Sequence, residues 1–304
     1  MRIVLGTRGS RLALRQTEGV REALLRVVPD VEVEVQVIHT RGDRILDAPL
    51  AKIGGKGLFV KEIEDALLER RCDAAVHSLK DVPAELPPGL VLGAFLERDL
   101  PWDAFVSMKW CSLEDMPEGA RVGTTSLRRT CQLLAQRPDL EVAPLRGNVE
   151  TRLRRLAEGL DAVVLAAAGL RRLGLSDRIT ALLTPPDFIP AVGQGVIAVE
   201  CREGDGPLRE VLARLDDAKT RLAVTAERAF LAAVGGGCQV PMGAVATVDG
   251  DEVAFAAFIG RPDGSQLWRE MGRGRASEAA MLGRAVAERL LTAGGRDVID
   301  GLGT

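Results

Sequence analysis

The chain has no tyrosine, and aromatic residues make up only 3% of its 304 positions. So few rings leave little on which nucleobases could stack, and a net charge of −3 provides no global basic field for a phosphate backbone. Histidine is scarce too: His39 and His77 are the two, neither near a cysteine cluster, so a His/Cys zinc site has little to draw on and no catalytic metal is expected. The five cysteines, Cys72, Cys111, Cys131, Cys201 and Cys238, are odd in number, scattered and without a Cys-x-x-Cys pair, which argues against a disulfide framework. No stretch reaches the roughly 18 apolar residues of a membrane-spanning helix. Met1 leads directly into Ile3-Val4-Leu5 without the basic and apolar regions of a signal peptide, so the chain reads as soluble and cytoplasmic.

What is present is a hydrophobic content of 46%, enough for two or three domains with real cores. The opening reads strand, polar turn, helix: residues 2–5 are apolar, Gly6-Thr7-Arg8-Gly9-Ser10 turns with Ser10 as a helix cap, and Leu12, Leu14, Val20, Leu24 and Leu25 supply a helical face. Residues 31–37 alternate strictly, the period of a strand with one buried face. Residues 41–57 mix glycine, proline and charge and predict a long mobile loop before a helix over 59–70. Short buried strands are expected at 73–76 and 90–95, then a second strand-helix series: strand 121–123, a Thr124-Thr125-Ser126 cap, a helix to Gln136, and strands at 140–145, 161–166 and 196–201. Such alternation predicts parallel α/β sheets. Beyond Asp216 a helix over 226–233, alternating stretches at 240–248 and 253–259 and an Ala-rich helix over 277–291 predict a separate α+β domain.

The same chemical mixture follows several strand ends: Thr7-Arg8-Gly9-Ser10, His77-Ser78-Leu79-Lys80, Thr124-Thr125-Ser126-Leu127-Arg128-Arg129 and Arg146-Gly147-Asn148. In open α/β sheets such turns line the ligand crevice, helix N-termini present free N–H groups, and arginine grips carboxylates bidentately. The set therefore predicts a ligand with several negative groups, although any one turn is equally a simple helix cap. Gly54-Gly55-Lys56-Gly57 lacks the Ser or Thr and the upstream glycine of a phosphate loop, leaving a glycine-hinged lid or a merely flexible loop. Asp81 reads either as an acid or base beyond a buried strand or as a turn residue beside Pro83. Cys238, between Gly235-Gly236-Gly237 and Gln239-Val240-Pro241, reads as an exposed loop thiol, nucleophile or inert.

Taken together, residues 6–10, 76–83, 123–129, 145–148, 190–195 and 235–241 resemble the porphobilinogen deaminase family, most specifically in His-Ser-Leu-Lys-Asp-Val-Pro, Ser-Leu-Arg-Arg and Gly-Gly-Cys-Gln-Val-Pro. The resemblance implies a transferase, hydroxymethylbilane synthase, that joins four porphobilinogens head to tail into hydroxymethylbilane with loss of ammonia. It also implies a dipyrromethane cofactor held by a thioether to Cys238. By the same resemblance Asp81 and Lys80 are catalytic, and Ser10, Lys80, Asp81, Thr124, Ser126, Arg128, Arg129, Arg146 and Gly147 hold the cofactor. Arg8, Ser10, Gln16, Arg146, Arg152, Arg172 and Gln194 would contact substrate, and Lys52, Lys56 and Phe59 would belong to a lid.

The implied fold is two doubly wound α/β domains of the periplasmic-binding-protein type flanking a cleft, plus a smaller C-terminal α+β domain. Residues 1–98 with 195–215 form the first domain, 99–194 the second and 216–304 the third, which carries the anchor cysteine. A cytoplasmic monomer is implied, with porphobilinogen as substrate and possible hand-off of product to uroporphyrinogen-III synthase. Two positions depart from the family pattern: Trp102 stands where Arg is common, and Thr125 where Ser is frequent. The main alternative is a non-catalytic anion receptor on the same binding fold.

Overall fold

The strict alternation of residues 31–37 produces strand β2 (Glu32–Val37), which pairs in parallel with β1 (Arg2–Thr7) from Arg2 opposite Glu32 to Thr7 opposite Val37. β2 is the edge of its sheet, however, and Val35 and Val37 remain 37% and 43% exposed among the described residues, so alternation here does not bury a full face. The computed structural model describes residues 1–40, 60–235, 237 and 239–302. The expected loop over 41–57 lies outside them. The chain divides into two compact units, residues 1–99 with 195–221 and residues 100–194 with 222–304.

In the first unit the sheet runs β2-β1-β3-β10-β4, with β3 (Ala74–Ser78), β4 (Leu90–Phe95) and β10 (Ile197–Arg202) completing it. β1, β2 and β3 are parallel, while β10, on returning to the unit, runs antiparallel to both its neighbours. Helix α1 (Arg11–Val27) begins where expected, its first turn capped by Ser10 Oγ accepting from the Ala13 amide at 3.2 Å. Its Val20 and Leu24 join Ile3, Leu5, Val76 and Val199 in a core on one face of the sheet. Helix α2 (Lys61–Leu68) packs Ile63, Ala66 and Leu67 against Ala75 on the other, so the sheet is covered on both sides, as parallel strands require.

The second unit repeats the plan in the order β7-β6-β8-β5-β9, from β5 (Asp103–Ser107), β6 (Arg121–Gly123), β7 (Glu141–Ala143), β8 (Ala162–Ala166) and β9 (Ala181–Leu183). Again three strands are parallel and one, β5, runs antiparallel to its neighbours. Helix α3 (Leu127–Gln136) lays Leu133 beside Phe105 and Val122 on one face. Helices α4 (Val149–Ala157) and α5 (Ala167–Arg172) place Leu153, Leu156 and Leu170 on the other. β7 is shorter than the predicted 140–145 because Pro144 has no amide to continue the ladder.

After α6 (Gly206–Ala213), helix α7 (Ala218–Val234) contains the predicted 226–233. It leads to an antiparallel sheet of β11 (Met242–Asp249), β12 (Glu252–Gly260) and β13 (Leu267–Arg275), the small C-terminal sheet of the fold. β13 was not anticipated: Gly272, Arg273, Gly274 and Arg275 carry no apolar alternation, and the strand exists because its whole length pairs with β12. Helix α8 (Ala279–Leu290) matches the Ala-rich prediction, and Gly283 shows why small residues are needed, since a Cβ there would lie 2.0 Å from the Ala226 carbonyl oxygen on α7. The last helix among the described residues is α9 (Arg296–Gly301). The fold is thus mixed α/β, with two sheet-and-helix units and a small three-stranded C-terminal sheet.

Candidate active site

In the first unit β1 and β3 are parallel neighbours, so their carboxyl ends open side by side, the place where open α/β sheets bind ligands. A recess of about 100 Å³ lies there, its lining among the described residues including Arg8, Ser10, Gln16, Ser78, Lys80 and Asp81. The sequence reading drew these six from two separate turns and one helix, and the structure gathers them. Gln16, 4% exposed on the first turns of α1, donates from Nε2 to Ser78 Oγ at 2.9 Å and so ties the helix to the end of β3. Thr17 Oγ1 donates to Thr7 Oγ1 at 2.7 Å and ties it to β1.

Beyond Ser78 the chain makes a single 3-10 turn, residues 79–81, which presents Lys80 and Asp81. The turn is held by its backbone: the Leu79 amide donates to the Val196 carbonyl at 3.0 Å, and the Val82 amide to Leu79 at 3.0 Å. Asp81 is half-buried. One carboxylate among an arginine, an ammonium and several hydroxyl and amide groups can stabilise a transient cation while the basic groups hold carboxylates.

In the second unit the turns after β6 and β7 follow the same logic. Thr124 is buried and accepts on Oγ1 from the Ser126 amide at 3.2 Å, and Thr125 donates to the Leu145 carbonyl at 3.1 Å, so the hydroxyl kept at that position is in use. Ser126 sits at the cap position of α3 but makes no side-chain cap bond, leaving the first amides of a ten-residue helix without a side-chain acceptor. Asn148, in contrast, caps α4 by accepting from the Thr151 amide at 2.8 Å. Gly147 has φ +104°, and a Cβ there would lie 2.7 Å from Thr151 Cγ2, so this turn requires glycine. Arg152 donates from Nε to the Gly147 carbonyl at 2.8 Å, and half-buried Arg146 makes no hydrogen bond or ion pair to another described residue. Arg172 ends α5, half-buried.

Arg128 and Arg129, expected to meet carboxylates of a ligand, have a carboxylate of the protein instead. Both are 5% exposed. Arg128 donates from Nη1 to Asp103 Oδ2 at 2.7 Å and from Nη2 to Oδ1 at 3.1 Å, while Arg129 donates to Oδ1 from Nε at 2.9 Å and from Nη2 at 2.6 Å. The carbonyls of Ile189 and Val164 take a further N–H from each, and Gln194 Nε2 adds bonds to Asp103 at 3.2 Å and Pro101 at 2.7 Å. Burial pushes the Asp103 carboxyl up, but the two guanidinium charges and their hydrogen bonds outweigh it and hold the group well below the usual carboxylate range. Two adjacent arginines at a helix start would repel without this acid, so Asp103 is what allows them to be buried there.

Asp103→Asn is therefore expected to destabilise the protein by about 3–5 kcal/mol, because it leaves two buried cations facing a neutral amide. Urea titration at pH 7 reads this directly, and a loss under about 1 kcal/mol would show the pair is not held by the charge. Since the folded-state pKa is depressed, the stabilisation is complete above the ordinary Asp value of about 4 and is lost as pH falls through the folded value. The difference between wild type and variant should then shrink only below about pH 4.

Cys238 and the lid residues Lys52, Lys56 and Phe59 lie outside the described residues. Of the other cysteines, Cys72, Cys131 and Cys201 are fully buried, and burial pushes their thiols up to about 11, 12 and 11, while Cys111 is exposed. Trp102, half-buried, offers its carbonyl to the Ala167 amide at 3.0 Å, a backbone contact that any residue there could make. No helix among the described residues is long and apolar enough to cross a membrane.

Residues 3–210 match the family model described as porphobilinogen deaminase, dipyromethane cofactor binding domain, and residues 221–292 match porphobilinogen deaminase, C-terminal domain. The chain belongs to the porphobilinogen deaminase family. Two curated relatives agree over nearly the whole length. The porphobilinogen deaminase of Roseiflexus castenholzii is 55% identical over 300 residues, covering 98% of this chain and 99% of the relative. That of Syntrophobacter fumaroxidans is 51% identical over 299 residues, covering 98% and 97%. Among solved structures, a methionine-binding protein is similar at 13% identity and a TM-score of 0.47, covering 72% of this chain and 92% of that one. Membership of the porphobilinogen deaminase family makes the chain a transferase of tetrapyrrole biosynthesis with a dipyrromethane cofactor-binding domain, and favours this over the anion receptor.

The donor set suits that group. A dipyrromethane carries four carboxylates and two pyrrole N–H groups, which call for cations, amide and hydroxyl donors and one fixed acceptor. In the recess of the first unit Arg8, Ser10, Gln16 and Lys80 are of the first kinds, and Asp81 is the acceptor.

Proposed function

We propose that the chain condenses four porphobilinogen molecules head to tail into hydroxymethylbilane, with Asp81 at the reacting centre and the priming dipyrromethane on Cys238. The observation that carries this reading is the recess at the ends of β1 and β3, where Asp81 stands among Arg8, Ser10, Ser78 and Lys80. When bound, the primer supplies a pyrrole carbon free to act as nucleophile. In each condensation the substrate's aminomethyl C–N bond breaks to release ammonia, a C–C bond forms to that pyrrole carbon, and the proton displaced from it is lost. Asp81 lowers the energy of the cation left on the substrate and accepts pyrrole protons, and Lys80 binds a neighbouring carboxylate.

Arg8, Ser10, Gln16, Arg146, Arg152, Arg172 and Gln194 are assigned to substrate, and Ser10, Lys80, Asp81, Thr124, Ser126, Arg128, Arg129, Arg146 and Gly147 to the primer. For Arg128 and Arg129 the role is a fixed positive platform: Asp103 neutralises one charge of two, and N–H groups not engaged by Asp103, Ile189 or Val164 are left for an anion. Lys52, Lys56 and Phe59 are assigned to a lid. The domain division of 1–98 with 195–215, 99–194 and 216–304, a cytoplasmic location, a monomeric state and hand-off to uroporphyrinogen-III synthase complete the reading.

The test is to incubate purified chain with porphobilinogen and follow ammonia and products. Four ammonia released per linear tetrapyrrole are expected, and a chain that binds porphobilinogen without consuming it would return the receptor reading.

A further inference from the structure

Behind the strand that carries the active turn lies a group of ionisable side chains that the proposed chemistry does not use. Ala75 and His77 on β3 stand opposite Glu200 and Ala198 on β10, so by the two-residue period all four share one face of the sheet. That face is covered by α2, which contributes Glu64. His77, Glu64 and Glu200 are 5%, 7% and 0% exposed. His77 Nε2 and Glu200 Oε2 are 3.0 Å apart. The second oxygens tell more: Glu200 Oε1 and Glu64 Oε1 are both buried with no hydrogen-bond partner among the described residues. Two buried carboxylates with unmatched oxygens are costly as two anions and tolerable when one holds a proton.

We infer that Glu64, His77 and Glu200 are positioning residues that share a buried proton and set, from behind β3, the geometry and electrostatics of the Ser78–Asp81 turn, so that their protonation shapes the pH response of turnover. The inference rests on the reading of Asp81 as the catalytic group. The path is short, because His77 directly precedes Ser78, lines the recess, and belongs to the strand whose next amide, Leu79, is anchored to Val196.

Burial, then repulsion from Glu200, pushes the Glu64 carboxyl up to about 7, with His77 and Lys61 opposing and Asp65 adding to the rise. These are the charged groups facing Glu64: Glu200 on β10, His77 on β3, and Lys61 and Asp65 on its own helix. As pH rises through neutrality Glu64 ionises and a second negative charge appears beside Glu200. That charge alters the field at the end of β3, where His77 leads into the Ser78–Asp81 turn. Linkage has a definite sign. The folded value lies above the unfolded one of about 4.3, so the contribution to stability is full below that value and declines as pH rises toward about 7.

Because the chain has only two histidines and His39 is exposed, the His77 Cε1–H resonance can be followed in the intact holoenzyme against an internal reference. The wild-type shift of this proton is expected to report the ionisation of Glu64 and to lose that pH-dependent step in Glu64→Gln. The pH profile of kcat should move by about 0.5 unit or more in the same variant, with KM changed less than about twofold. Glu200→Gln should lower kcat by about tenfold, and if it fails to fold, Glu64→Gln and the wild-type titration decide alone. A His77 resonance that follows pH identically in wild type and Glu64→Gln would overturn the shared proton. A kcat profile that superposes on wild type while only the melting temperature changes would leave the cluster structural and overturn its link to turnover. Failure of the Asp81 reading is seen separately, in the turnover of Asp81→Asn, and leaves the His77 titration as it was.

Discussion

Cys238→Ala is expected to yield a folded chain whose measured mass equals that of its sequence and whose turnover of porphobilinogen falls to background, whereas wild type carries the added mass of a dipyrromethane. The expectation comes from the other four thiols as much as from this one. A thioether forms through the thiolate. Cys72, Cys131 and Cys201 are sealed in cores, with thiols pushed up to about 11, 12 and 11, so at pH 7 about one in ten thousand or fewer is ionised and no group of pyrrole size can reach them. Cys111 is exposed and is the competitor. In the sequence Cys238 falls between the end of α7 at Val234 and the start of β11 at Met242, so its replacement leaves every residue of both elements in place. Peptide mapping separates the two thiols. Added mass on the peptide containing Cys111, or an unmodified wild type with full turnover, would overturn the assignment of Cys238.

How far the fold was legible follows from the kind of signal each segment carries. β1, β3, β8 and β10 are apolar runs bounded by polar turns, and the burial of strands on both faces of a covered sheet writes itself into such runs. β5 carries the same type of run, Ala104-Phe105-Val106, but it opens on Asp103, and a charge at a strand end reads as a turn. That one acid, placed by the antiparallel return of β5 beside β8, was the missed residue of the second unit. Its signal was present as a pair of adjacent arginines at the start of a helix, which call for a carboxylate somewhere, yet nothing local in the sequence says where. Glu200 was similarly hidden: a single acid in the middle of a strand read as buried, Val199-Glu200-Cys201, marks a group that must be satisfied by a distant partner, and His77 is 123 positions away.

The recess in the first unit was legible because its parts are local. Ser10 caps the helix that follows it, and Asp81 and Lys80 sit within one turn of the strand that delivers them. The register that sets Arg8 beside that turn is a tertiary fact, fixed by the pairing of Leu5 with Ala74 and Gly6 with Ala75. Arg128 and Arg129 show the opposite limit. The motif singled them out, but only long-range pairing shows that their first partner is Asp103 and that both are buried, fixed charges.

Asp81→Asn is expected to lower kcat by about 10²–10⁴-fold while KM changes only a few-fold, the signature of an interaction made chiefly in the transition state. Asparagine fills the same volume, and the turn it occupies is held by the Leu79 and Val82 amides, neither of which uses the Asp81 side chain, so the backbone should keep its course. Arg8 and the hydroxyl of Ser10 are left in place. What disappears is the one negative charge lining the recess among the described residues and a group able to accept a proton. Loss of ammonia leaves positive charge on the substrate, and a neutral amide presents only a dipole to it. Asp81→Glu restores the charge one methylene further out and should recover part of the rate, which separates charge from shape. Stopped-flow measurement of porphobilinogen consumption gives both constants. A variant within about threefold of wild type in kcat would remove Asp81 from the chemistry, and an unchanged kcat with a greatly raised KM would make it a ground-state binding group instead.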